Sequence, residues 1–266
     1  MSRLPSVYLP HGGGPWPFVE LGFGPPGAWD ALRVYLQGLV TALPEHPRAI
    51  LVISAHWEEP SPTLMTSAHP PMLYDYSGFP KESYSLQWPA PGAPELAQSV
   101  RKKLEAAGFT VNEDARRGFD HGTFVPLKLA VPAANIPILQ LSLISGLDPK
   151  QHLEMGRALA YLRDEGVFCV GSGSSYHNMR GFGRSSSRGP AEDFDSWMVR
   201  AVAEPPDARE ELLIRWTEAP GARESHPREE HLMPLHVVAG IGHDARASFP
   251  FRGDVLGVPM SAVAFG

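Results

Sequence analysis

The chain has 266 residues, of which 43% are hydrophobic and 20% charged, enough for one large core without covalent staples. Its single cysteine, Cys169, excludes a disulfide framework and a cysteine-based zinc knuckle and points to a reducing, cytoplasmic setting. A net charge of −6 with no basic run excludes the usual nucleic-acid footprint. No signal-peptide pattern opens the chain, and no stretch reaches the roughly 18 apolar residues of a membrane span.

In chain order, apolar β-branched runs at Ser6–Leu9, Ala49–Ser54, Thr63–Thr66, Ile136–Leu143, Val167–Val170 and Val258–Ala264 read as strands. Most are continuous rather than alternating, the pattern of strands covered on both faces. Helical patterns lie between them, at Ala28–Leu43, Pro94–Gly108, Asp148–Gly166, Glu192–Ala203, Asp207–Ala219 and Leu232–Gly242. Asp148 is placed as an N-cap with Pro149 in the first turn, and Gly108 and Gly166 as stops. Leu73–Pro94, rich in Pro, Gly and aromatics, reads as a long ordered loop over one face, and "RGFGRSSSRGP" as a mobile one. The expected fold is a single α/β domain over residues 1–266, its central sheet mostly parallel or mixed, with helices on both faces.

Eleven histidines are the compositional hint of chemistry, because thiolates are nearly absent and imidazole is the metal ligand left. "VYLPHGGGPWPF" raises three readings. As a phosphate loop it lacks lysine and G-x-G-x-x-G spacing, and its prolines remove amide donors. As an esterase oxyanion loop it would need a G-x-S-x-G elbow, which "GSGSS" does not supply. As a metal-ligand site it gains partners, since "AILVISAHW" delivers His56 and "VFCVGSGSSYHN" delivers His177 past other strand ends. The carboxyl ends of strands are where open α/β sheets place ligands, so His11, His56 and His177 are expected on one rim. His121 in "FDHGTF", and His226, His231 and His236 in "HPREEHLMPLH", are further candidates. His46, His69, His152 and His243 read as surface or loop residues, and the three glycines after His11 as room for a substrate.

"PHGGGP", "SAHW", "YDYSGFP", "FDHGTFVPL", "GSGSSYHN" and "EHLMPLHV" occur in this order over nearly the whole chain. Together they resemble the class III extradiol ring-cleavage dioxygenases, in the DOPA 4,5-dioxygenase subgroup. The resemblance implies a mononuclear metal, Fe(II) in the active form with Zn(II) as a substitute. The implied partners are a small aromatic diol and O2, with no nucleic acid or membrane, in a monomer or small homo-oligomer. It implies His11, His56 and His231 as metal ligands, and His177 as a fourth ligand or as the acid/base. His121 would stand beside the substrate and protonate an intermediate. Glu230 competes with His231 for the third position, because distant relatives carry a carboxylate there. A zinc hydrolase of an amide or ester, and a non-enzymatic binding protein on the same scaffold, are the competing readings.

Overall fold

The computed structural model describes residues 2–20, 22 and 24–266. The strands are β1 Ser6–Pro10, β2 Ala49–Glu59, β3 Thr63–Met65, β4 Asn112–Asp114, β5 Ile138–Ile144, β6 Val167–Gly173, β7 Ala247–Val255 and β8 Val258–Phe265. They form one eight-stranded mixed sheet in the order β4-β3-β5-β2-β6-β1-β8-β7. Its centre, β5-β2-β6-β1, is parallel, and β8 pairs antiparallel with β1. The helices are α1 Asp30–Gly38, α2 Pro94–Ala106, α3 His121–Ala130, α4 Pro149–Ala158, α5 Ser185–Ala203, α6 Pro206–Ile214, α7 Ala222–Ser225 and α8 Met233–Ile241. None is long and apolar enough to cross a membrane, among the described residues.

The continuous apolar strands divide their side chains between two cores, as the two-residue period of a strand requires. Leu51, Ile53, Leu139, Leu141 and Cys169 point to the face covered by α2, α4, α5, α6 and α8. Ile50, Val52, Ile138, Phe168 and Val170 point to the face covered by α1 and α3. Asp148 caps α4 as expected, its carboxylate accepting from the Gln151 amide.

Some sequence expectations fail, for local reasons. β4 is a short polar edge, and β7 is an edge strand holding Pro250, so neither reads as a central apolar run. The helix expected to run to Gly166 ends at Ala158 and continues only as a tighter turn. The stretch expected to be mobile begins α5 from Ser185, where Arg188 bonds Glu192 one turn on and Asp254 of β7. His152, expected at the surface, is fully buried on α4. Its Nε2 accepts the Ile144 amide at 3.1 Å while its Nδ1 donates to the Asp148 carbonyl at 2.7 Å.

Two stability predictions follow from the packing. A Cβ on Gly173 would lie 2.1 Å from the carbonyl oxygen of His231, backbone that cannot move cheaply, whereas Gly189 inside α5 has open space around it. Gly173→Ala should lower the melting temperature, while Gly189→Ala should leave it unchanged or raise it, by about 0.5–1 kcal/mol in helix propensity. The second prediction concerns His236 on α8, which is wholly buried and whose Nε2 bonds the Leu213 carbonyl at 2.9 Å. Burial pushes its pKa down to about 4. Below an unfolded value of about 6.5 the unfolded chain takes up a proton that the folded chain refuses, so this contribution is present above that pH and lost on acidification. Urea titrations between pH 6.5 and 4 should show stability falling, with His236→Gln flattening the slope by about 1.4 kcal/mol per pH unit. An unchanged slope in that variant contradicts the assignment.

Candidate metal centre and cavity

His11 follows β1 directly and is buried. His56 does not follow its strand, as expected, but lies within β2. There the register against β5 jumps between Ile53 and Glu58, a bulge that frees the intervening residues to turn. Arg117 holds the bulge, donating to the His56 carbonyl at 3.1 Å and to Asp120 at 2.8 Å, with its guanidinium over the Trp57 ring. Asp120, fully buried, also accepts from Ser54 at 2.7 Å and from Gln140 at 2.6 Å, and caps α3 through the Thr123 amide. His231 comes from the loop before α8 rather than from a strand, held through its carbonyl by Tyr8 Oη at 2.8 Å and the Ser174 amide at 3.1 Å.

These three imidazoles meet through Nε2. His11 and His56 are 3.1 Å apart, and His56 and His231 are 3.2 Å apart. The second ring nitrogen of each decides what those atoms carry. Pro126, inside α3, has no amide hydrogen for the Gly122 carbonyl four residues back, and that carbonyl accepts the Ser172 hydroxyl instead. With its proton so used, Ser172 Oγ can only accept from His11, whose Nδ1 is 3.1 Å away. His231 Nδ1 donates to Glu230 Oε1 at 3.0 Å, and His56 Nδ1 faces Asp75 Oδ2 at 3.5 Å. Each neutral ring therefore carries its proton at Nδ1, leaving three bare Nε2 lone pairs facing one another. The other tautomer of His56 would set a lone pair against the Asp75 carboxylate.

Electrostatics keep the rings neutral. Burial, reinforced by the neighbouring histidines, holds the His11 and His231 pKa values far below the usual range. Burial and His121 push His56 down to about 3 against the opposing pull of Asp75. Three converging, unprotonated nitrogens with carboxylate or hydroxyl partners behind them are a donor set that fits a transition-metal ion.

Two more histidines border the group. His121, the first residue of α3, stands 3.9 Å centroid to centroid from His56 and donates through Nδ1 and its amide to Asp75 Oδ1, at 2.8 and 2.9 Å. His177, in the loop after β6, stacks on His231 at 3.2 Å with its Nδ1 3.1 Å from Glu230 Oε1. Each carboxylate thus joins one histidine of the trio to one outside it. Burial is the largest single influence on Asp75 and Glu230 and opposes their ionisation, but hydrogen bonds and charge attraction from His121 and His56 for Asp75, and from His177 and Arg228 for Glu230, together outweigh it and lower both pKa values.

His226 and His236 belong elsewhere, bonding the Ser175 and Leu213 carbonyls within the core. Sequence reasoning missed Asp75, Arg117 and Asp120 as members of this assembly. Asp75 and Asp120 stood inside quoted motifs, whereas nothing marked Arg117.

Above the histidines lies a cavity of about 640 Å³. Gly12, Gly13 and Gly14 line it, yet the space two of them leave is filled by protein. A Cβ on Gly12 would meet the Trp16 ring at 2.5 Å, and one on Gly14 the Phe79 ring at 2.7 Å. Both also have positive φ, +90° and +51°. The long loop from Leu73 forms a wall, tied down by Tyr74 and Tyr76 hydroxyls donating to the Leu86 and Ser83 carbonyls, each at 2.6 Å.

With this geometry in hand, comparison with known proteins is specific. The family described as the catalytic LigB subunit of aromatic ring-opening dioxygenase matches residues 24–257. A 4,5-DOPA dioxygenase extradiol of Beta vulgaris is 44% identical over 76% of this chain and 76% of its own. The protein of that name from Escherichia coli K12 is 35% identical over 90% of this chain and 85% of its own. A dioxygenase of Hapsidospora irregularis is 36% identical over 100% of this chain and 86% of its own. The crystal structure of an uncharacterised Escherichia coli K12 protein superposes with a TM-score of 0.78 at 31% identity, over 99% of this chain and 100% of that one. The chain therefore belongs to the LigB family of metal-dependent extradiol ring-opening dioxygenases, alongside the 4,5-DOPA dioxygenases.

Proposed function

We propose that the protein opens the ring of a catechol with O2, giving a hydroxymuconic semialdehyde, at a metal held by His11, His56 and His231. The observation that carries this reading is the convergence of three bare Nε2 atoms at the floor of a cavity. Fe(II) is the metal this chemistry calls for, and an all-imidazole set also accepts Zn(II). Bound there, the metal would supply Lewis acidity toward the diol and the redox route from its electrons to O2.

The chain's own residues do the rest. Glu230 Oε1 accepts from Nδ1 of both His231 and His177, so in the neutral ring His177 offers a bare Nε2. We assign it the removal of a hydroxyl proton from the diol, since it lines the cavity beside His231. Asp75 orients His121 in the same way, and we assign His121 the hydrogen bond to substrate and the return of a proton to the ring-opened product. The aromatic and aliphatic side chains of the walls lower the polarity around the reacting atoms. In this reading residues 1–266 act as one catalytic unit, in the cytoplasm, as a monomer or small homo-oligomer.

Anaerobically Fe(II)-loaded protein, mixed with a panel of catechols (4-alkylcatechols, DOPA, caffeate, protocatechuate) and then air, should consume O2 and yield a yellow ring-opened product. No O2 uptake on any of them sinks the proposal, and ester or amide hydrolysis under strict anaerobiosis would favour a zinc hydrolase instead. His177→Ala should keep its metal and lose turnover by roughly 10²–10⁴-fold, the usual worth of a general base. Asp75→Asn and Glu230→Gln should differ. Asp75 uses both oxygens on two rings, so an amide there must present a donor to one Nδ1–H, and metal affinity should fall about 10–100-fold. Glu230 serves both rings with Oε1, which glutamine retains, so metal content by elemental analysis should fall less. Equal losses would mean that only the charge matters.

A further inference from the structure

This inference rests on the dioxygenase reading and concerns what the catechol carries on its ring. The cavity of about 640 Å³ is far larger than a dihydroxybenzene ring and within the size range of pockets for drug-sized ligands. Away from the histidines its walls are mostly apolar, built from Trp29, Phe79, Met179, Phe182, Leu256 and Met260, with Tyr76, Ser77 and Ser174 as the uncharged polar members. Among the described residues no Lys, Arg, Asp or Glu lines it. Behind the site, Asp75 is turned to the Nδ1 atoms of His56 and His121 and Glu230 Oε1 to those of His231 and His177, and neither carboxylate lines the cavity. Arg184 and Arg188 line an adjoining depression that shares Gly183 and Leu256 with the cavity, and Arg188 is bonded there to Glu192 and Asp254.

Met179 adds a second observation. Its side chain borders the cavity although the residue is 69% exposed, among the few large apolar residues so exposed in the described chain. A substituent passing outward from a ring seated over the histidines meets this polarisable thioether rather than a counter-charge.

We propose that the substrate is a catechol bearing a bulky, uncharged, apolar substituent, held between Trp29, Phe79, Phe182, Leu256 and Met260 with Met179 at the mouth. A carboxylate entering this space would shed water and find no cation, whereas an alkyl or aryl group would exchange water for matching walls.

The decisive comparison is 4-propylcatechol against 3-(3,4-dihydroxyphenyl)propionate, which share ring and chain length and differ by a terminal methyl against a carboxylate. For the Fe(II)-loaded enzyme, kcat/KM should favour the propyl compound by at least roughly tenfold, with L-DOPA on the poor side. The dissociation constants of the same pair, measured by anaerobic calorimetry on Zn(II)-loaded protein, should differ in the same direction. Equal or reversed preference in binding overturns the proposal. If binding favours the propyl compound while no catechol is turned over, the dioxygenase reading falls and the assignment of the walls stands. Met179→Arg should shift the kcat/KM ratio toward the carboxylate by about tenfold, as one added counter-charge at the mouth predicts. An unmoved ratio would show that the substituent does not pass Met179.

Discussion

Three converging imidazole nitrogens, two of them at hydrogen-bond length from the third and with no proton to share, are the constraint around which this protein is arranged. His11, His56 and His231 reach that geometry only because each has its proton drawn to the opposite ring nitrogen, by Ser172, Asp75 and Glu230 respectively. The arrangement is unfavourable for neutral rings alone and favourable around a cation, so the requirement for metal is written into tautomers rather than into net charge. Ser172 takes part because a proline inside α3 leaves a helix carbonyl unpaired. A backbone irregularity of one helix thus determines which ring nitrogen carries the proton in a side chain at a strand's end.

The frame around this group is stiff where it needs to be. The parallel centre of the sheet is buried on both faces, so the ends of β1 and β6 and the bulge of β2 are located by packing against two separate cores. Arg117 and Asp120 then lock the bulge, and Gly173 lets the His231 backbone approach β6 closely. Precision in such a site comes from these outer contacts, since a ligand displaced by a fraction of an ångström no longer converges with its partners.

The two carboxylates have a double function. Each connects a ring of the trio to a ring that faces the cavity, Asp75 through both oxygens and Glu230 through one. The trio and the two rings beside it are therefore oriented by common anchors. Over them stands a mostly apolar chamber closed in part by the aromatic loop from Leu73, whose Tyr74 and Tyr76 hydroxyls are spent on its own backbone carbonyls rather than on a ligand. The imidazoles thus form the floor of the cavity and mostly apolar side chains its walls.

Much of this was legible along the chain. Continuous apolar runs announced strands buried on both faces, Asp148 announced its cap, and histidines past strand ends announced a rim, because these signals depend on neighbours within a few residues. The ordered motifs carried the family. Tertiary structure alone decided the rest. That His56 sits in a bulge, that Glu230 turns away from the trio while His231 faces it, and that His152 and His236 are core residues all depend on contacts between distant segments. The glycines after His11 are a clear instance: the sequence called for space at that turn, but only the packing shows that Trp16 and Phe79 occupy it. A histidine's local sequence can place it at the end of an element. Which of its nitrogens carries the proton is set by whatever the fold brings to the other side of the ring.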